Sequence, residues 1–140
     1  MAKLKAVFGV NRVLENDGAW VEYPGGGDKP IRLLIGRMSK RNVRFKVAAE
    51  KYLAPHQKEI DEGTLDPDFS ESLMDRVMAE GVLFGWENVD DDDGQPDEFS
   101  ADKALAIFQD PDMTEFRNFV MEQSKTLRNF QIKEAARKNS

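Results

Sequence analysis

The chain has 140 residues, enough for one domain with its own hydrophobic core and too few for two ordinary domains. It contains no cysteine, which excludes disulfide frameworks, zinc–cysteine clusters and thiol nucleophiles. No apolar run has the roughly 18 to 20 residues of a membrane-spanning helix, and the lysine-containing start lacks the apolar stretch of a signal peptide. We therefore expect a single soluble domain over residues 1–140 that is not exported and does not contact a membrane.

The net charge of -6 conceals three blocks of different sign. Residues 1–60 hold 12 Lys and Arg against 6 Asp and Glu, residues 61–124 hold 3 against 19, and residues 125–140 hold 5 against 1. An acidic middle between basic ends favours contacts between the blocks and guides charged partners. The charge pattern therefore bears on association more than on fold.

The first third of the chain has the alternation that is typical of strands. The alternating apolar residues at its start are Leu4, Ala6, Phe8 and Val10. Residues 16–18 (Asn-Asp-Gly) predict a tight reversal, and residues 19–23 and 30–36 predict two further strands joined by the loop 24–29. Residues 1–37 are thus expected to form an antiparallel β meander, whose apolar face needs a cover because so few strands are marginal alone.

From residue 38 to residue 138 the apolar spacing changes to that of helices. Ser39 is predicted to cap a helix that Pro55 ends near Leu53. A core helix is predicted over 67–84, with Asp66 as its cap and Pro67 at its first position. Gly63 marks a stop, and Ser100 a further start. The expected architecture is an α+β fold, mainly α-helical, with a small N-terminal antiparallel β meander.

A last, longer helix is predicted to begin at the Asp110-Pro111 signal and to run to about Arg137. It carries a mainly apolar stripe whose members step by three and four residues: Met113, Phe116, Val120, Gln123, Leu127 and Phe130. Packing against the helix of 67–84 and contact with a partner chain explain this stripe equally well. Met74 and Met78 suit either role, because flexible methionine side chains adapt to irregular surfaces.

No catalytic constellation and no metal site emerge from the residue pattern, so we expect neither an enzyme nor a cofactor. When Gly94 is aligned with the invariant glycine of an EF-hand loop, Val89 and Ser100 fall on the first and last ligand positions. The acidic residues 90–93 are therefore interpreted as a solvated turn. His56 is the sole histidine, and a metal site built on it would need carboxylates for every other ligand.

The densest basic run comprises Arg37, Lys40, Arg41, Arg44 and Lys46. Arg37, Arg41 and Arg44 are predicted to share one helical face, a spacing that suits phosphate contacts. The acidic sequence pI of about 4.9 and the absence of interleaved stacking aromatics argue against nucleic acid. A solvated face, or pairing with the acidic block of the same chain, is the favoured interpretation.

Several segments, in their order along the chain, resemble the tail assembly chaperones of long-tailed bacteriophages. They are LKAVFGVNRVLENDGAWVEYP near the start, IGRMSKRNVRF, then EGTLDPDFSESLMDRVMAEGVLFGWENV with an acidic Asp-Gly loop and a Phe-Ser helix start after it, and AARKNS at the end. Together they span nearly the whole chain. Because none of them is a short diagnostic motif, the resemblance rests on their order.

The resemblance implies a binding protein of the host-cell cytoplasm that performs no chemistry. Such chaperones coat the aggregation-prone tape-measure protein, are thought to recruit tail-tube subunits, and are absent from the finished tail. From the apolar spacing we predict that partner contact involves Met113, Phe116, Val120, Leu127 and Phe130, with Met74 and Met78 as second choices. Family members often exist in a longer, frameshifted form, and Lys138-Asn139 is compatible with a slippery codon pair.

Two alternatives from other functional classes stay open at this point. One is a permanent structural piece of the virion, such as a tail-end or connector subunit, which is harder to exclude than the other. A small nucleic-acid-binding regulator would use the basic run, and its binding would weaken steeply with added salt. Assembly of the chain into a homo-oligomer is also left open by the sequence.

Overall fold

The computed structural model describes residues 3–24 and 28–131. Helices dominate this part of the chain, and three strands form one antiparallel sheet among them. The α-helices are α1 (Leu4–Phe8), α2 (Arg12–Asp17), α3 (Val43–Tyr52), α4 (Gln57–Glu62), α5 (Pro67–Gly81), α6 (Ala101–Gln109) and α7 (Thr114–Lys125). The strands are β1 (Ala19–Tyr23), β2 (Ile31–Ile35) and β3 (Leu83–Glu87). The predicted α+β class, mainly helical with a small antiparallel sheet, is confirmed.

The strand predicted over residues 4–10 is wrong, because Leu4–Phe8 form the short helix α1. Among the residues that the structure describes, the alternating pattern finds no neighbouring strand to pair with, and only Val10 forms an isolated bridge, to Gln131. The side chain of Asn11 then caps α2 by accepting hydrogen bonds from the amides of Val13 and Leu14, at 2.9 and 3.4 Å. The predicted reversal does occur at Gly18, whose φ of 97° turns the chain from α2 into β1.

The sheet has the order β1-β2-β3, with Ala19 opposite Ile35 and Tyr23 opposite Ile31. The two strands predicted over 19–23 and 30–36 are therefore confirmed. The third strand comes from the region predicted to continue the core helix, which ends at Gly81 instead of near Phe84. The β-favouring residues after Gly81 pair with β2 on the side that β1 leaves free.

Local start and stop signals account for most helix boundaries. The Asp66 carboxylate caps α5 by accepting from the Phe69 amide at 3.0 Å, and the Ser100 hydroxyl caps α6 through the Lys103 amide at 3.1 Å. Gly63 ends α4 in the left-handed conformation, with a φ of 68°. These predicted boundaries are confirmed, as is the end of α3 before Pro55.

Two further predicted boundaries are wrong. Helix α3 begins at Val43, capped by Asn42 and not by Ser39. Helix α7 ends at Lys125, where Thr126 turns extended and leads into a short 3-10 helix over Leu127–Phe130. The part of the predicted helix after Gln131, as far as about Arg137, lies outside the described residues, and so does the Lys138-Asn139 pair. The glycines 25–27 of the loop before β2 also lie outside them.

The core lies between one face of the sheet and helices α5, α6 and α7. Leu33 and Ile35 of β2 are buried there, and Ile31 packs against them, so the strand face predicted to need a cover receives one from the helices. The Trp86 indole anchors the loop before α6 by donating to the Asp97 carbonyl at 2.6 Å. Within residues 3–24 and 28–131, no helix is both long enough and apolar enough to cross a membrane.

Candidate partner-binding surface

The predicted contact residues occupy two different kinds of environment. Met78, Val120 and Phe130 are completely buried, so in this conformation they form the interior and are not exposed to a partner. Met74, Met113, Phe116 and Leu127 are half-buried. The stripe is split because α7 ends at Lys125, so its last two members lie on a separate 3-10 helix.

Met113 and Phe116 line an apolar hollow of about 260 Å³ at the start of α7. Its other apolar walls are Tyr23 of β1 and Ile31 and Leu33 of β2. Its two charged lining residues are both acidic, Asp112 and Glu115. We call this site the apolar hollow. It combines an open apolar surface with carboxylates of one sign.

Local interactions fix the walls of the apolar hollow before any partner arrives. The Asp110 side chain accepts from the Asp112 amide at 2.9 Å, which holds the 3-10 turn Pro111–Met113 that presents Met113. The Phe116 ring stacks on Phe108, with centroids 5.9 Å apart, and the Tyr23 ring meets Phe119 edge-on. Such a preformed site loses little conformational entropy on binding.

The three strand residues of the apolar hollow, Tyr23, Ile31 and Leu33, are not among the predicted contact residues. A signal for two of them was present, because the alternation in β2 predicts that Ile31 and Leu33 share a face that must be covered. What the alternation does not specify is that α7 covers this face only in part. The gap left beside Met113 depends on the position of α7 relative to the sheet.

Met74 contributes to a different cavity, of about 410 Å³, together with Ile60 and Leu65. A neighbouring cavity of about 520 Å³ is lined by several carboxylates, and Arg117 lines both. Arg117 donates from Nε to the Oδ1 atom of the buried Asp75 at 2.5 Å. Because the Arg117 guanidinium lines both cavities beside carboxylates, neither resembles the apolar hollow.

Burial raises the pKa of the Asp75 carboxyl above its ordinary value of 3.8, although the hydrogen bond from Arg117 opposes this shift. The folded protein therefore binds more protons than the unfolded chain just above pH 3.8. The stabilising effect of Asp75 is fully present below its unfolded pKa and is lost as the pH rises through the raised folded pKa.

We expect this linkage to appear when the wild type is compared with Asp75→Asn, which does not titrate. Urea denaturation from about pH 3 to pH 7 gives the free energy of unfolding of both proteins. Relative to Asp75→Asn, the free energy of unfolding of the wild type is expected to fall as the pH rises above 3.8 and then to level off. A difference that is flat, or that moves in favour of the wild type, would contradict the raised pKa.

The basic run is partly engaged inside the chain. The Arg37 guanidinium pairs with the buried carboxylate of Glu15 at 2.7 Å, and Arg44 lies over the Phe84 ring at 4.3 Å from its centroid. Since α3 begins only at Val43, the predicted helical face shared by Arg37, Arg41 and Arg44 does not exist. Arg37 has its intramolecular partner in the N-terminal block and not in the acidic block.

The acidic loop is a turn held by its own side chain. Asp91 Oδ1 accepts from the amides of Asp93 and Gln95, both at 2.9 Å, and residues Asp90 and Pro96 form a bridge across the base. In the part of the chain that the structure describes, no three His, Asp or Glu side chains are grouped to hold a metal ion.

Comparison with known proteins places the chain in a phage-derived group. The family model of the YdaY prophage protein matches residues 39–139, which is well over half of the chain. The chain belongs to this family. The match includes Met113 and Phe116 of the apolar hollow, whereas the walls supplied by β1 and β2 precede it. No curated protein and no solved structure matches the chain.

Proposed function

We propose that this YdaY family member is a tail assembly chaperone of a long-tailed phage. It binds the tape-measure protein in the host-cell cytoplasm, helps to recruit tail-tube subunits, and leaves before the tail is complete. The order of resembling segments and the phage-derived family support this proposal. The observation that carries it is the apolar hollow, which leaves Met113 and Phe116 open to a guest.

The size of the apolar hollow fits a temporary interaction. A volume of about 260 Å³ has room for a large apolar side chain of the guest, not for an extended segment. Burying one such side chain contributes about 1.5 to 3 kcal/mol, which is too little for a permanent complex. Copies that also contact one another along a long helical guest are nevertheless held well, because linked contacts act together, whereas a single copy dissociates readily.

The first test introduces a charge into the apolar hollow. We expect Met113→Glu to lower the yield of co-purified tape-measure protein by about tenfold or more, because the carboxylate stays hydrated and prevents apolar contact. The measurement is affinity capture after co-expression of both proteins. Tyr23→Ala, which removes a wall from the other side, is expected to act in the same direction.

The matched control is Val47→Glu, which places the same charge at an exposed valine of α3, away from the apolar hollow. Circular dichroism melts of all variants establish that they are folded. If folded Met113→Glu and Tyr23→Ala capture as much tape-measure protein as Val47→Glu does, the apolar hollow is not the binding site.

The two alternative functions are separated by other measurements. A permanent virion subunit is detected by mass spectrometry of purified particles, whereas a chaperone is absent from them. A nucleic-acid-binding regulator shifts DNA or RNA in a gel, with an affinity that falls steeply as salt is added. The internal contacts of Arg37 and Arg44 leave fewer basic side chains for such binding.

A further inference from the structure

Helix α1 exposes an apolar face that nothing in the described residues covers. Leu4, Val7 and Phe8 are 78%, 44% and 62% exposed, and no residue of α1 is buried. We call these three side chains the N-terminal face. Leu4 and Phe8 lie one helical turn apart, so they present one apolar ridge. An exposed apolar cluster of this kind on a small domain marks a contact surface.

Helix α1 is nevertheless held in place at its C-terminal end. The Val7 carbonyl accepts from the Gln131 side-chain amide, and the Asn11 amide donates to the Phe130 carbonyl at 2.7 Å. Val10 and Gln131 form a bridge between these two contacts. The N-terminal face therefore projects from an anchored base.

The charges beside the N-terminal face are opposite to those of the apolar hollow. Lys3 and Lys5 flank Leu4, whereas Asp112 and Glu115 line the apolar hollow. In residues 3–24 and 28–131, neither Asp112 nor Glu115 forms an ion pair with Lys or Arg. One surface supplies an apolar ridge with cations, and the other supplies an apolar cavity with anions.

We propose that α1 of one copy docks into the apolar hollow of a second copy, with Phe8 in the hollow, Leu4 against its edge and the lysines beside its carboxylates. The chain's own α1 is a poor occupant. It leads through α2 into the Ala19 end of β1, whereas the apolar hollow lies at the Tyr23 end. Reaching it would also break the contacts of α1 with Phe130 and Gln131.

This contact joins two different surfaces, so a docked pair keeps one free N-terminal face on one copy and one free apolar hollow on the other. Repeated head-to-tail association then produces open chains, or a ring if the rotation closes. Because the apolar hollow is also the proposed guest site, this part of the inference rests on the proposed function: a second copy covers the hollow until the guest displaces it. The small contact implies weak association, visible at roughly 100 µM protein.

Sedimentation velocity of the full chain over a range of protein concentrations tests the proposal. The wild type is expected to form larger species as its concentration rises, and less so at high salt because the lysine–carboxylate contacts are screened. Phe8→Glu and Met113→Glu are each expected to remain monomeric. Val47→Glu, with the same added charge on α3, is expected to associate like the wild type.

A mixture of the two defective variants gives the sharpest result. Phe8→Glu retains an intact apolar hollow, and Met113→Glu retains an intact N-terminal face, so together they are expected to form a one-to-one dimer that grows no further. Because Phe8 is exposed, its substitution leaves the core intact even if Met113→Glu is unstable. Lys5→Glu is expected to weaken the docking of α1 into the apolar hollow of a wild-type copy. Glu115→Lys in the copy that supplies the hollow is expected to restore this docking.

Two outcomes would overturn the inference. One is a wild type that is monomeric at every concentration. The other is Met113→Glu chains that associate like the wild type, which would indicate contact between two α1 helices.

Guest capture separates this inference from the proposed function. Phe8→Glu is expected to capture at least as much tape-measure protein as the wild type. If the wild type is monomeric but still captures the guest, only the proposed self-association is contradicted. If Met113→Glu no longer self-associates but captures as much guest as the wild type does, only the proposed guest site is contradicted.

Discussion

Replacing Phe130 with alanine is expected to lower the free energy of unfolding by about 3 to 5 kcal/mol. Phe130 is completely buried, and its backbone carbonyl accepts from the Asn11 amide at 2.7 Å. Truncation removes a large apolar side chain and leaves a cavity that the surrounding backbone fills only partly. Urea denaturation followed by circular dichroism measures the loss.

Leu127→Ala is the matched control, because it shortens a half-buried side chain on the same 3-10 helix. Its expected cost is about 1 kcal/mol. Equal losses in the two variants would contradict the central position of Phe130. The result also governs the binding experiments: Phe130 was predicted to contact a partner, but a polar substitution there would report unfolding and not the loss of a contact.

The second large effect is expected for Asn42→Ala, with a loss of about 3 kcal/mol. The buried Asn42 amide nitrogen donates to the carbonyls of Arg37 and Gly81, at 2.9 and 2.8 Å. Its oxygen caps α3 through the Phe45 amide at 3.4 Å. One side chain thus joins the β2–α3 connection to the end of α5, and alanine leaves these backbone groups without their partners.

Ser39→Ala provides the comparison, because Ser39 was the residue predicted to cap α3. Within the described ranges 3–24 and 28–131 its hydroxyl accepts only from the exposed Arg41 amide, at 3.3 Å, so the expected loss is below about 0.5 kcal/mol. Thermal melts and urea titrations of the two variants measure the difference. A larger loss for Ser39→Ala than for Asn42→Ala would restore the sequence-based assignment of the cap.

The close approach of α3 to α5 explains why Asn42 reaches Gly81. A Cβ atom on Gly81 would lie 2.7 Å from the Phe45 Cα atom and 2.9 Å from the Arg44 carbonyl oxygen. These are backbone atoms, which do not move aside as the end of a flexible side chain does. The glycine permits the contact that buries Asn42.

Local signals in the sequence determined where most elements begin and end. The Asp66 and Ser100 caps and the left-handed Gly63 act within one turn of their own position, and the structure confirms them. The spacing of three and four residues likewise selected Met113 and Phe116, which line the apolar hollow. Each of these features depends on residues within a few positions along the chain.

Only the tertiary structure decided the features that depend on residues far apart. Among the described residues, residues 4–8 have the alternation of a strand but find no partner strand, and the helical pattern predicted to reach Phe84 gives way at Leu83 to β3, which pairs with β2. The end of α7 at Lys125 divides the predicted stripe into buried and accessible members. The physical reason is that strand pairing and side-chain burial depend on which distant surfaces meet, and spacing along one segment carries no information about them.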